Sequence, residues 1–239
     1  MMAYKKDRPH FCGSFVYAPL GSKKHIDSYI IIDGQQRFTT LYILIKALAD
    51  SADDDRDKEA LQRYLYNEDK FDRYGLDEKS KLKLKPVKTD NDQLLLLMSG
   101  KIEQMDKSRR GIIYHNYMLF MQLIKSFLEE SSANSVLMIN DGIEKLICAD
   151  IRLDTDDNAQ EIFERINSTG IKLGLADLIR NYILMTDTDQ ERLYEEYWLT
   201  VQNLLPDKLL DNFFIDYLNM KSDGFVKESE AYKSFKQVY

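Results

Sequence analysis

Asp33-Gly34-Gln35-Gln36-Arg37 lies between an apolar, β-branched run, Tyr29 to Ile32, and an apolar-periodic stretch that reads as a helix beginning near Thr39. A strand that empties through a polar, glycine-containing turn into a helix brings unpaired backbone N–H groups and a partial positive charge to one spot, where an anion can bind. The side chains suit that chemistry. Arg37 offers a guanidinium fork to phosphate oxygens, Gln35 and Gln36 offer amides that both donate and accept, and Asp33 could hold a magnesium ion or a water. The pentapeptide is therefore a candidate nucleotide or phosphate pocket. The plainer reading is a polar strand-to-helix turn with Asp33 as a cap and Arg37 as a solvated charge. Against it, Gln-Gln-Arg is a poor choice for a mere turn, where Asn, Ser, Pro and a second Gly are the usual formers.

A second polar constellation, Phe163-Glu164-Arg165-Ile166-Asn167-Ser168-Thr169-Gly170, reads as a helix that stops on a glycine-ended turn, with the next helix starting after Leu173. Gly170 suits a left-handed C-terminal cap, so the segment taken alone reads as a helix-turn-helix hinge. Asn167 and Thr169 are also small hydrogen-bonding groups on a tight backbone, suited to a ribose, a base edge or a phosphate.

The elements that must position these residues follow from periodicity. Phe11 to Tyr17 and Tyr29 to Ile32 are β-favouring, and Pro19, Gly21 and Ser22 between them read as a turn, so a hairpin leads into the pentapeptide. Leu41, Leu44, Ile45 and Leu48 repeat at helical spacing, and an acidic stretch, Asp53 to Asp57, reads as a solvated loop. A second amphipathic helix fits Lys58 to Asn67. Leu82, Leu84 and Val87 then alternate with Lys81, Lys83, Lys85 and Lys88, the pattern of a half-buried edge strand. Its lysine face could track a phosphate backbone, but its better-supported use is to block edge-to-edge aggregation, and Pro86 agrees with an edge position.

From Asn91 onward the pattern is mainly helical. Arg109 to Glu130 carries a long apolar stripe, Ser131 to Asn134 mark a break, and Leu146 to Leu153 reads as a strand returning to the sheet. Helices fit Asp157 to Ile166 and Leu175 to Met185, and three more fit Asp189 to Tyr239, where the aromatic residues read as bundle core. The expected fold is α+β and mainly helical. A small β-containing part with the pentapeptide (1–90) packs on a mainly helical part (91–239) that completes the same domain, with a returning strand near 146–153.

Composition narrows the function classes. The 239 residues are 44% hydrophobic and 31% charged, with a net charge of −7, which argues against a surface given over to nucleic acid. A local patch such as Lys107, Arg109 and Arg110 remains a candidate DNA contact. Two distant cysteines, Cys12 and Cys148, and three isolated histidines, His10, His25 and His115, make no zinc, disulfide or HNH-type grouping. No apolar stretch approaches the roughly 20 residues of a membrane span. No apolar run of signal-peptide type follows the N-terminus, so the expected compartment is the cytoplasm.

The run Ile31 to Leu41 resembles the DGQQR-T-T-L signature, and Phe163 to Gly170 with Leu173 and Asp177 to Asn181 resembles the downstream F-x-R-x-N-x-x-G-x-x-L block, of the N-terminal domain of GmrSD-type modification-dependent restriction enzymes and related phage-defence proteins. The resemblance spans most of the chain. It implies a ParB/sulfiredoxin-like α+β core that binds and hydrolyses nucleoside triphosphates with Mg2+, coupled to recognition of modified DNA and to a nuclease domain or subunit of the HNH type. Carried over, Asp33, Gln35, Gln36 and Arg37 are catalytic, with Asp33 as metal ligand. Gly34, Thr39, Asn167, Thr169 and Gly170 bind nucleotide, and Arg37 and Asn167 line one cleft.

Three departures accompany the resemblance. Nothing before Phe11 matches the usual upstream Ile-Pro-x-Tyr-Gln-Arg-like segment, so the chain is expected to begin inside the domain, with part of the pocket absent. Many relatives continue into an HNH nuclease domain, and with three scattered histidines and an end at Tyr239 none is expected in this chain. Gly174 stands where a serine often precedes the second helix, an acceptable cap substitute. The alternatives are a non-catalytic nucleotide- or DNA-binding regulatory module and a purely structural helical scaffold.

Overall fold

The computed structural model describes residues 9–23, 26–67, 81–86, 88–106, 110–154, 157, 161–162, 164–165, 174–186, 190–205, 207–222 and 224–239. The chain divides into two compact units, Met1–Thr155 and Asp156–Tyr239. The architecture is α+β and mainly helical, with its sheet in the first unit.

The sheet has three strands in the order β2-β1-β3. β1 (His10–Lys23) and β2 (Ile26–Asp33) form the expected antiparallel hairpin, with Val16 opposite Asp33 and Lys23 opposite Ile26. β1 does not turn at Pro19, Gly21 and Ser22, as their composition suggests, but runs through them. The reason lies in β3 (Leu146–Arg152), which returns as expected and pairs in parallel with β1 only from His10 to Tyr17. Beyond Tyr17 no described strand occupies that side of β1, so the N–H missing from Pro19 costs no ladder bond there. The register shifts between Pro19 and Gly21, where Gly21 takes φ 121°, and the Ser22 hydroxyl donates to Asp27 across the pair near the hairpin end.

α1 (Gln35–Asp50) starts four residues before the expected Thr39. Gly34, at φ 92° and ψ 7°, reverses the chain in a single residue, and glutamine and arginine are good helix formers once that turn is made. Its buried face presents Tyr42, Ile43, Lys46, Ala47, Leu48 and Ala49. α2 (Asp55–Leu65) likewise starts before Lys58 and stops short of Asn67, because the acidic stretch is a cap and a first turn rather than a loose loop. Asp54 accepts from the Arg56 N–H at 2.8 Å, and hydrogen bonding to Arg56 holds its carboxyl below the ordinary aspartate value.

The expected lysine-faced strand is not formed. Among the described residues it is a strap with one antiparallel bridge, Tyr66 to Leu82, and a bond from the Lys83 N–H to the Leu65 carbonyl at 3.1 Å. Leu82 and Leu84 are buried and Lys83 and Lys85 exposed, so the alternation is real, but no second described strand extends it into a sheet. Val87 lies outside the described residues.

α3 (Lys88–Met98), α4 (Ile112–Glu130) and α5 (Val136–Glu144) complete the first unit. Its core gathers Ile43 and Leu48 of α1, Leu61 and Leu65 of α2, Leu94 and Leu97 of α3, and Ile113 and Ile124 of α4. A polar inset ties α1 to α4: Lys46 pairs with Asp50, and the Tyr117 hydroxyl donates to Asp50 Oδ2 at 2.8 Å. Burial and the hydrogen bond to Asp50 raise the Tyr117 phenol above its ordinary value.

The second unit contains α6 (Leu175–Thr186), α7 (Gln190–Leu193), a π-helical turn (Tyr194–Trp198), α8 (Leu199–Leu204), α9 (Asp207–Lys221) and α10 (Glu228–Val238). The aromatics pack as core: Trp198 stacks on Phe214 at 5.8 Å and 9°, and Phe235 meets Phe214 edge-on at 6.3 Å. Of the expected helix over Asp157 to Ile166, half the residues are described, and 161–162 and 164–165 are helical. Within it, Glu164 accepts from Tyr232 Oη at 2.8 Å and Lys236 Nζ at 2.7 Å, tying that stretch to α10.

Leu48 and Ile179 are completely buried, one in each core. Leu48→Ala and Ile179→Ala should each cost about 2–5 kcal/mol, the usual penalty of a cavity in a packed interior, read from urea midpoints of the full chain.

Candidate functional site

β2 ends on Asp33 and α1 begins on Gln35, so the pentapeptide is a strand end, a one-residue turn and the first helical turn. Gly34 cannot carry a side chain here. A Cβ would lie 2.6 Å from Phe15 Cδ1 and 3.1 Å from the Ser14 carbonyl oxygen, on a backbone at φ 92°.

Arg37 reaches back from the first turn of α1 across the end of the sheet. Its Nη2 donates to the Ser14 carbonyl at 2.6 Å and to Asp33 Oδ2 at 2.9 Å, while Ser14 Oγ donates to the same carboxylate oxygen at 3.3 Å. The two arginine contacts are charge-assisted and close, the serine contact is longer, and together they join α1, β1 and β2. The Arg37 Cζ sits 5.5 Å from the centroid of Phe15, whose other contacts include an edge-on meeting with Phe38 at 5.7 Å. The register of β1 against β3 is irregular between Phe11 and Ser14, where Gly13 takes φ 102°. A Cβ on Gly13 would come within 2.3 Å of Arg37 Nη1, so the missing side chain is the space the guanidinium occupies.

The pair is at the surface rim, with side chains 40% exposed for Arg37 and 23% for Asp33. Nη1 and Asp33 Oδ1 enter none of these bonds, and Nε is buried without a hydrogen-bond partner among the described residues. α1 begins with no side-chain cap and no acid in its first turn. Gln36 is exposed, whereas Gln35 donates from Nε2 to the Ile31 carbonyl at 2.6 Å. Thr39 and Thr40 turn their hydroxyls back onto the helix, donating to the Gln35 and Gln36 carbonyls at 2.9 and 2.7 Å. The structure thus brings Asp33, Gly34, Gln35, Arg37 and Thr39 to one helix start. Asn167, Thr169 and Gly170 lie outside the described residues, and so does their expected meeting with Arg37.

Sequence reasoning passed over Gly13, Ser14 and Phe15. The available signal was a glycine inside a β-favouring run, which marks a bulge or a close approach of another group to the backbone. In the second unit, Gly174 meets an unforeseen cap. Asp211 Oδ1 of α9 accepts from the Ala176 N–H at 2.7 Å, and a Cβ at Gly174 would stand 3.0 Å from Asp211 Oδ2. Gly174, expected to serve as an acceptable cap where relatives often carry serine, is joined by a carboxylate from another helix, for which the glycine makes room.

The sequence pattern of the GmrSD restriction endonuclease N-terminal domain matches residues 3–184. The chain belongs to that family. It is thereby part of a restriction, or phage-defence, system. No curated protein matches the chain. The matched span holds the whole Asp33–Arg37 constellation, the three strands and most of α6. Among the described residues no helix is long and apolar enough to cross a membrane, and no three His, Cys, Asp or Glu residues gather in a metal-binding group.

A partly exposed ion pair contributes little to stability, so Arg37→Ala should cost about 1 kcal/mol or less. Gly34→Ala should cost more, about 1–3 kcal/mol, because it adds backbone strain to a clash with Phe15. Urea midpoints of the two variants check this order.

Proposed function

We propose that the Asp33–Arg37 end of the first unit is a nucleoside triphosphate site, used in this GmrSD-type system for hydrolysis coupled to the sensing of modified DNA and to a nuclease domain or subunit of the HNH type. The observation that carries the reading is the state of the guanidinium. One of its terminal nitrogens is anchored to the strand and to Asp33, while the other has no hydrogen-bond partner among the described residues and lies beside a helix start without a side-chain cap. An anchored cation next to unpaired helical N–H groups favours a polyphosphate.

Phosphoryl transfer asks the protein mainly for positioning and charge stabilisation. Arg37 would neutralise charge developing on the transferring phosphoryl group. The exposed amide of Gln36 would orient the attacking water, and Gln35, its nitrogen held by Ile31, would offer its carbonyl oxygen as an acceptor. Asp33 suits a magnesium ion, because Oδ2 takes the bonds from Ser14 and Arg37 and leaves Oδ1 outside them. One carboxylate is sufficient when waters and phosphates complete the shell. When bound, the ion would supply charge neutralisation at the phosphate oxygens. Asn167, Thr169 and Gly170 are assigned to the nucleotide by the family resemblance.

A second reading, binding without hydrolysis in a regulatory module, is favoured by one feature: Asp33 and Arg37 already satisfy each other, so a ligand must compete with their pairing. Thermal melting and phosphate release, measured for ATP, GTP, CTP and UTP with Mg2+, with and without modified DNA, separate the two. The hydrolytic reading expects a rise in Tm together with phosphate release, and a loss of turnover by about 100-fold in Arg37→Ala. A Tm rise without phosphate release selects the regulatory module. A chain that responds to none of the four nucleotides in either assay overturns both.

A further inference from the structure

We propose that Gly13 and Ser14, which lie outside the DGQQR signature, are positioning residues for Arg37: the bulge they form in β1 seats the guanidinium and fixes the direction in which it meets a polyphosphate. The inference rests on the nucleotide reading above. Three observations support it. The register of β1 breaks between Phe11 and Ser14, and Gly13 takes a positive φ there. The volume a Cβ would fill at Gly13 is the volume beside Nη1, at 2.3 Å. Ser14 then holds the pair twice, accepting from Nη2 through its carbonyl and donating through its hydroxyl to Asp33.

An arginine side chain has several freely rotating bonds, and a seat that takes one terminal nitrogen orients the other without consuming it. The backbone carbonyl does the anchoring, so the seat requires a particular strand shape rather than a particular side chain at Ser14. The hydroxyl has a separate task, holding the Asp33 carboxylate that shares Nη2.

The test uses the full chain, inorganic tripolyphosphate with Mg2+ as probe, and the Arg37 side-chain Nε–H resonance as a report on the seat. The expected result is a persistent Nε–H signal in the parent chain that Gly13→Ala abolishes while circular dichroism shows the fold retained. Tripolyphosphate affinity should fall about tenfold in Gly13→Ala and severalfold in Ser14→Ala, with Ser14→Thr restoring it. A merely structural role would lower the melting temperature and leave affinity in the folded state unchanged, which overturns the proposal. An unaltered resonance in Gly13→Ala also overturns it. Where Gly13→Ala does not fold, the serine variants decide: affinity that follows the hydroxyl supports the proposal, and equal affinity in Ser14→Ala and Ser14→Thr overturns it. A parent chain that binds no tripolyphosphate while its Nε–H signal still depends on Gly13 fails the nucleotide reading and the positioning role, leaving only a structural seat. Binding by the parent and equally by every variant fails the positioning role alone.

Discussion

The contact of Arg37 Nη2 with the Ser14 carbonyl and the Asp33 carboxylate is the constraint on which the functional end of the first unit depends. It joins the middle of the sheet, the end of its neighbouring strand and the first turn of the helix that follows. Its stabilising value is small, since both side chains reach solvent. Its value is directional. A long cation that would otherwise sample many rotamers is held against a bare stretch of strand, and only a glycine at position 13 leaves that stretch bare.

Much of this was legible in the residues, and the failures share a cause. The hairpin, the returning strand, the mainly helical composition and the aromatic core of the second unit all follow from periodicity and side-chain type. What local patterns could not supply was the neighbour. Pro19 looks like a turn former until β3 is seen to stop pairing at Tyr17, and the alternating leucines and lysines look like a strand until their partner is seen to be one bridge at Tyr66. The helix start was misplaced for a different reason: the single left-handed residue Gly34 does the work expected of the whole polar pentapeptide. The chemistry of Asp33 and Arg37 was readable from their types. The contribution of Ser14 was not, because a backbone carbonyl has no signature in sequence, and that of Gly13 is signalled only as a glycine inside a β-favouring run.

The second unit carries a related lesson. α6 falls mostly within the span that matches the GmrSD N-terminal domain, yet its start is capped by Asp211 and its buried face is covered by Phe214 and Phe235. All three lie beyond the matched residues. The helix therefore depends on side chains that the family pattern does not cover, and Gly174 is the place where that dependence shows in the sequence.

The pairing of β1 with β3 has a consequence for how the chain is made. β1, β2 and α1 are contiguous, so the arginine contact needs only local closure, whereas His10 meets Leu146 across nearly the whole of the first unit. Such a pairing raises the contact order, and its loop entropy must be offset before the sheet gains its third strand. During synthesis from the N-terminus, one side of β1 stays uncovered until Arg152 has emerged. A nascent chain arrested before that point presents an unpaired strand edge, the feature through which incomplete chains associate.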